Sequence, residues 1–135
     1  MISFRESGME FVFAEDCSFY IEKSRLYDKK LNAKGISAVE CITVRGKNMT
    51  RPVLFIEAKS SAPNPDGVKG NGRFKEFIEE VSHKFIHSIS ICYAILHQIQ
   101  SLSQDEYPMG KILQDCLMKK PHIVFVLIIK KHKDE

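Results

Sequence analysis

The chain has 135 residues, 44% of them hydrophobic and 27% charged, with a net charge of +3. This supports one domain, residues 1–135, with a single core, and excludes a disordered or low-complexity chain. No apolar run reaches the length of a membrane span, and the opening MISFRESGMEFVF lacks a signal peptide's basic n-region and cleavage site, so the expected location is cytoplasmic, with no membrane partner. Cys17, Cys41, Cys92 and Cys116 are scattered with no C-x-x-C pair, and read as free buried thiols.

Gly8 to Ala14 predicts a first strand, and Glu15-Asp16 a turn. Ser18 to Ser24 reads as a second strand or the start of a helix. Arg25 to Lys34 is polar and basic, a turn or short helix closed by Gly35. Ile36 to Val44, ISAVECITV, is rich in β-branched residues and predicts a strand. Arg45 to Arg51 is a polar connection with Gly46 and Asn48 as turn residues. RPVLFIEAKSS, Arg51 to Ser61, follows as a strand bounded by Pro52 and by a Ser/Pro/Asn/Gly loop. The two strands predict an antiparallel hairpin.

Residues 60–72 predict a mobile loop. Asn71 is placed to cap the helix after it. Phe74, Phe77, Ile78, Val81, Phe85, Ile89, Cys92, Leu96 and Ile99 recur at three- and four-residue steps and predict a long helix over about 73–100. Met109 to Lys119 predicts a shorter helix with Ile112, Leu113, Cys116 and Leu117 on one face, stopped by Pro121. His122 to Ile129 is almost continuously apolar, as a central strand would be. It is expected to join the sheet beside the hairpin after crossing over through the helices. The class is therefore α/β or α+β with a mixed central sheet.

The chemistry sits on the hairpin. With a turn centred near Asn48 and Met49, Val44 falls opposite Val53 and Glu40 opposite Glu57. Alternation puts Glu40, Ile42 and Val44 on the same face as Val53, Phe55, Glu57 and Lys59. Two carboxylates facing each other across a strand pair repel. In a partly buried site one must take up a proton, or a cation must lie between them. Hard oxygen ligands favour Mg²⁺ or Mn²⁺ over zinc. The plainer reading is an ion-pair network in which Glu40 and Glu57 bracket Lys59.

Glu40 in AVECI, followed by Glu57-Ala58-Lys59 in FIEAK on the neighbouring strand, resembles the signature of the PD-(D/E)XK nuclease superfamily. The order of long helix and final strand is similar too, over roughly residues 15 to 130. The resemblance implies a restriction-endonuclease-like fold and a nuclease hydrolysing phosphodiester bonds. Glu40, Glu57 and Lys59 would be its catalytic residues. Glu40, Glu57 and the Ala58 backbone carbonyl would hold Mg²⁺ or Mn²⁺. The partner implied is nucleic acid, with DNA the first expectation. The chain departs from the pattern in using Glu40 where Asp is usual. Many members add an acid from an N-terminal helix, for which Glu22 is the best candidate and Glu15 and Asp16 weaker ones. The chain also stops where members usually have a further helix, as a minimal or truncated form would.

Ser60 and Ser61 open the loop after Lys59 and are candidate phosphate contacts. Basic residues cluster at 25–34, 45–51 and 69–75, and Arg73 in the last cluster is a second candidate. His83, His87, Ser90, Ala94 and His97 form a stripe on the long helix, which either lies half-wet beside the core or, with Lys84, supplies phosphate contacts. Two alternatives remain. One is a catalytically inactive nuclease-fold module that binds nucleic acid or protein. The other is a small α/β homodimer, joined through the apolar circumference of the long helix, whose Glu/Lys cluster is structural.

Overall fold

The computed structural model of the chain describes residues 1–21, 37–45, 52–63, 70–102, 109–119 and 121–132. Within these, the architecture is mixed α/β with two sheets and two helices. The expected hairpin is present, as strands here numbered β4 (Cys41–Val44) and β5 (Val53–Ala62) in chain order. They pair antiparallel, from Val44↔Val53 to Cys41↔Ile56. The pairing ends there and does not extend to the expected Glu40↔Glu57 pair. Glu40 lies at a bend just before β4, and its N–H donates at 3.0 Å to the Ile56 carbonyl, one residue out of that register. The strand expected from residue 36 starts only at Cys41. Val39 instead gives its N–H to the Ser88 hydroxyl at 2.8 Å, so its backbone donor is satisfied outside any ladder.

The sheet has four strands in the order β3-β4-β5-β6. β3 (Ser18–Phe19) is antiparallel to β4, and β6 (Ile123–His132) is parallel to β5, as a crossover connection requires. β6 is thus the edge of the described sheet and not a central strand. Its apolar run is half-buried, with Phe125 exposed. Phe125 nevertheless stacks on Phe85 from the helical layer, ring centroids 4.6 Å apart.

The chain begins with a hairpin where the sequence reading had one strand. β1 (Ile2–Glu6) and β2 (Met9–Phe13) are joined by Ser7 and Gly8. Both turn residues have positive φ, 55° and 75°, as a two-residue turn matched to strand twist needs. Ring stacking of Phe4 on Phe11 and on Tyr20 ties this hairpin to the start of the main sheet.

α1 (Gly70–Leu102) covers one face of the sheet. The helix begins at Gly70, so Asn71, expected at the cap position, falls inside it. Val81, Phe85, Ser88, Ile91, Cys92, Ile95 and Leu96 are buried, together with Val53, Phe55, Ile42 and Val44 of the hairpin. Each such aliphatic or aromatic side chain contributes on the order of 2 kcal/mol by burial. The stripe differs from the expected one: Ile78 is exposed, while Ile91 and Ile95 are core residues. The second half of the helix is apolar on so many sides that periodicity alone leaves the buried face open. α2 (Lys111–Leu117) buries Leu113, Cys116 and Leu117, and the Tyr93 hydroxyl donates to the Leu117 carbonyl at 2.9 Å, locking α2 to α1. Ile91, Cys92, Ile95 and Leu96 pack into the chain's own core, whereas Ile86 is exposed. Among the described residues no helix is long and apolar enough to cross a membrane.

Candidate functional site

The site grows from the middle of β5. Val53, Phe55 and Glu57 face α1, because side chains alternate along a strand and Val53 and Phe55 belong to the core beneath that helix. Ile42 and Val44 lie in the same core, and the charge of Glu40 acts on Lys84, which places Glu40 near this face. Both carboxylates are buried, and Glu57 is 0% exposed. A bare charge there would be very costly, and the fold supplies its compensation from the helix. Lys84 Nζ lies 2.7 Å from Glu57 Oε2, with the Lys84 side chain 17% exposed. The contact is at ion-pair distance but off the direction of a good hydrogen bond. Neither Glu57 oxygen has a hydrogen-bond partner among the described residues. Distance decides the electrostatics here, and the ammonium is the counter-charge.

Lys59, expected as the bracketed lysine, is the more distant one. Its ammonium is 3.9 Å from Glu57 Oε2 and 3.6 Å from Glu80 Oε1, with its side chain 24% exposed. The plain ion-pair reading therefore needs correcting in its members: Lys84 takes the tight place, and Glu80 joins as a third carboxylate. Glu80 was not singled out from the sequence. Its spacing of four from Lys84 on one helix was the available signal. Burial alone would lower the Lys84 pKa. Contact with Glu57, the charge of Glu57 and the charges of Glu40 and Glu80 outweigh it and hold the ammonium above its ordinary 10.5.

The Ala58 carbonyl accepts a hydrogen bond from the Ser7 hydroxyl at 2.9 Å. It points to the same side of β5 as the Ile56 carbonyl, past the end of β4, so the turn of the β1–β2 hairpin closes this side of the site. One lone pair of the oxygen remains. Ser7 was another residue missed, although the Ser-Gly pair was a turn signal.

The remaining candidates scatter. Ser60 is exposed on β5 beyond Lys59, and Arg73 is exposed in the first turns of α1, roughly 16 Å along the axis from Lys84 at ~1.5 Å per residue. His83, His87, Ser90, Ala94 and His97 are all exposed, on the side of α1 opposite its buried residues. The stripe therefore turns away from Glu57, because the helix spends its other face on Val81, Ser88 and Ile95. Lys84 separates from that stripe and joins the carboxylates. Arg45 is at the other end of the hairpin, roughly 16 Å along the strand from Glu57 at ~3.3 Å per residue. Glu22, Lys69 and the basic stretch 25–34 lie outside the described residues. Glu15 and Asp16 are exposed in the 3-10 turn before β3.

The donor set can be tested against a divalent cation. Among the described residues there is no group of three or more His, Cys, Asp and Glu side chains that could hold a metal. Mg²⁺ does not need one: it keeps several waters and binds through one or two carboxylates. Two buried carboxylates, a Glu57 Oε1 without a hydrogen-bond partner among the described residues, and the remaining lone pair of Ala58 O fit that requirement.

All four cysteines are buried and outside any disulfide. Burial pushes the Cys41 thiol up to about 12, against the pull of the Phe19 backbone hydrogen bond and with a further push from Glu40. Burial alone lifts Cys92 to about 12. The sign follows: from pH 9.0 upward the unfolded thiols ionise first, so the folded state loses stability as pH rises toward about 12. The slope is on the order of 1.4 kcal/mol per pH unit for each thiol. Lys84 adds stability that is present below 10.5 and lost above it. Urea midpoints measured from pH 7 to 11 should stay level to about pH 9 and then fall steeply. A level profile to pH 11 would contradict the burial of these thiols.

Compared with family models, with curated proteins and with solved structures, the chain finds no match.

Proposed function

We propose that the chain is a Mg²⁺- or Mn²⁺-dependent nuclease of restriction-endonuclease-like fold that hydrolyses phosphodiester bonds, with DNA as the first substrate to test. One observation carries this: Glu57, a fully buried carboxylate in mid-strand, shares the Lys84 ammonium with the charge of a second buried carboxylate, Glu40, and has Lys59 two residues on. A purely structural role would be served as well by apolar residues, since a buried ion pair contributes little net stability. The order of hairpin, helix and parallel strand supports the same reading.

In this reading Glu57 and Glu40 hold the cation together with the Ala58 carbonyl. The bound cation supplies an acidified water and charge stabilisation at the scissile phosphate. Lys59, near the surface and between Glu57 and Glu80, turns its ammonium toward the charge that develops on the phosphate oxygens. Ser7 fixes the Ala58 carbonyl in place.

Incubation of plasmid DNA and of RNA with Mg²⁺ or Mn²⁺ should give cleavage that EDTA stops and that Glu57→Ala and Lys59→Ala abolish. Cleavage surviving both substitutions would remove these residues from the mechanism. The 2.7 Å contact of Lys84 with Glu57 favours one second reading, a non-catalytic module of the same fold in which the carboxylate is permanently neutralised. Binding of nucleic acid without cleavage would select it.

A further inference from the structure

Lys84 contributes nothing to the three-residue motif, yet of the two ion pairs described for Glu57 it makes the shorter. We propose that Lys84 competes with the divalent cation for Glu57: ammonium and metal are alternative counter-ions of one carboxylate, and metal uptake turns Lys84 out toward solvent. This rests on the metal-site reading above and adds to it a residue that sets how tightly the metal is held.

Charge is the first argument. Glu40, Glu57 and Glu80 against Lys59 and Lys84 leave one net negative charge around Glu57. A divalent cation added while Lys84 stays would reverse that sign and set the ammonium beside a dication in a poorly solvated place, where repulsion is strong. With Lys84 gone from Glu57, the site returns close to neutrality.

Mobility is the second argument. Glu57 is held in a paired strand and wholly buried, so it cannot leave. The helix is pinned one turn further on, where Ser88 accepts the Val39 N–H at 2.8 Å. What remains free to move is the four-carbon stem of Lys84, whose side chain is 17% exposed and so has a route to water. Swinging out, the ammonium joins Lys59 on the open side of the site, where an incoming phosphodiester would meet both.

The test uses the full chain and Mn²⁺ alone, with free Mn²⁺ read by its solution EPR signal. The wild type should bind Mn²⁺ and Glu57→Gln should not. Lys84→Gln, which removes the competing charge, should bind at least about tenfold more tightly, the change that one pKa unit of lost competition represents. Lys84→Arg, a counter-ion that does not let go as easily, should bind more weakly. If Glu57→Gln loses Mn²⁺ but Lys84→Gln binds no better than wild type, the competition is overturned and the metal site stands. If the wild type binds no Mn²⁺, or Glu57→Gln binds it equally well, the metal site itself falls and the competition with it. Should Lys84→Gln fail to fold, Lys84→Arg decides: unchanged or tighter binding overturns the proposal.

Discussion

Lys84→Ala should destabilise the protein by about 3–5 kcal/mol in urea denaturation at pH 7 with EDTA present. The substitution leaves Glu57 with Lys59, at 3.9 Å, as its nearest remaining cation, in a place with no exposure to water. Lys84 brings to Glu57 a full charge at 2.7 Å. Removal of one partner of a buried pair costs far more than the pair contributes, because the other charge stays behind. Glu57→Ala should cost less, since the partly exposed Lys84 can turn to water. Replacement of both, Glu57→Leu with Lys84→Met, should recover most of the stability, because nothing charged is then left unpaired at that position. Mn²⁺ should restore part of the stability of Lys84→Ala and none of that of Glu57→Ala, by preferential binding to the folded state. A Lys84→Ala protein within about 1 kcal/mol of wild type would mean that Glu57 is solvated and the pair is not a buried one.

Gly110→Ala should lower stability by about 3 kcal/mol and the Tm by roughly 10 °C. Gly110 precedes α2 and donates its N–H to the Ser18 carbonyl at 3.0 Å. A Cβ at this position would overlap the carbonyl oxygen of Glu15 and the backbone of Asp16. Those atoms belong to the main chain of the 3-10 turn, so no side-chain rotation makes room. Either the hydrogen bond to Ser18 lengthens or α2 moves off the turn, and Leu113, Cys116 and Leu117 lose packing with it. The φ of Gly110 is −59°, so the requirement is for space and not for an unusual backbone conformation. A thermal melt of Gly110→Ala superimposable on wild type would show that α2 is not seated on this turn.

These two positions mark how far the sequence could be read. The hairpin was legible because its strands are β-branched, alternate cleanly and are separated by a polar connection; the register Val44↔Val53 followed from turn length. That register is a local consequence of pairing, and it stops at Cys41, one residue short of Glu40. α1 was legible as a helix for the same reason, since repeats of three and four are written within one segment. The direction of its faces was not, because Ile78, Ile86, Ile91 and Ile95 look alike until a sheet covers some of them. Gly110 was read as part of a helix, and only the approach of Glu15 and Asp16 explains why a side chain is not allowed there.

Local pattern therefore determined the two helices, the pairing of β4 with β5 and the acid-x-lysine motif. Tertiary structure decided the rest. The apolar run of β6 became a sheet edge because apolarity reports burial but not the number of strand neighbours. The β1–β2 turn became a wall of the site because Ser7 reaches the Ala58 carbonyl across the fold. Lys84, and not the motif's own Lys59, became the closest cation to Glu57, because helical packing brings a distant residue to 2.7 Å while strand alternation keeps the near one at 3.9 Å. Charge pairing in a buried site depends on distance in space, which periodicity along the chain does not encode.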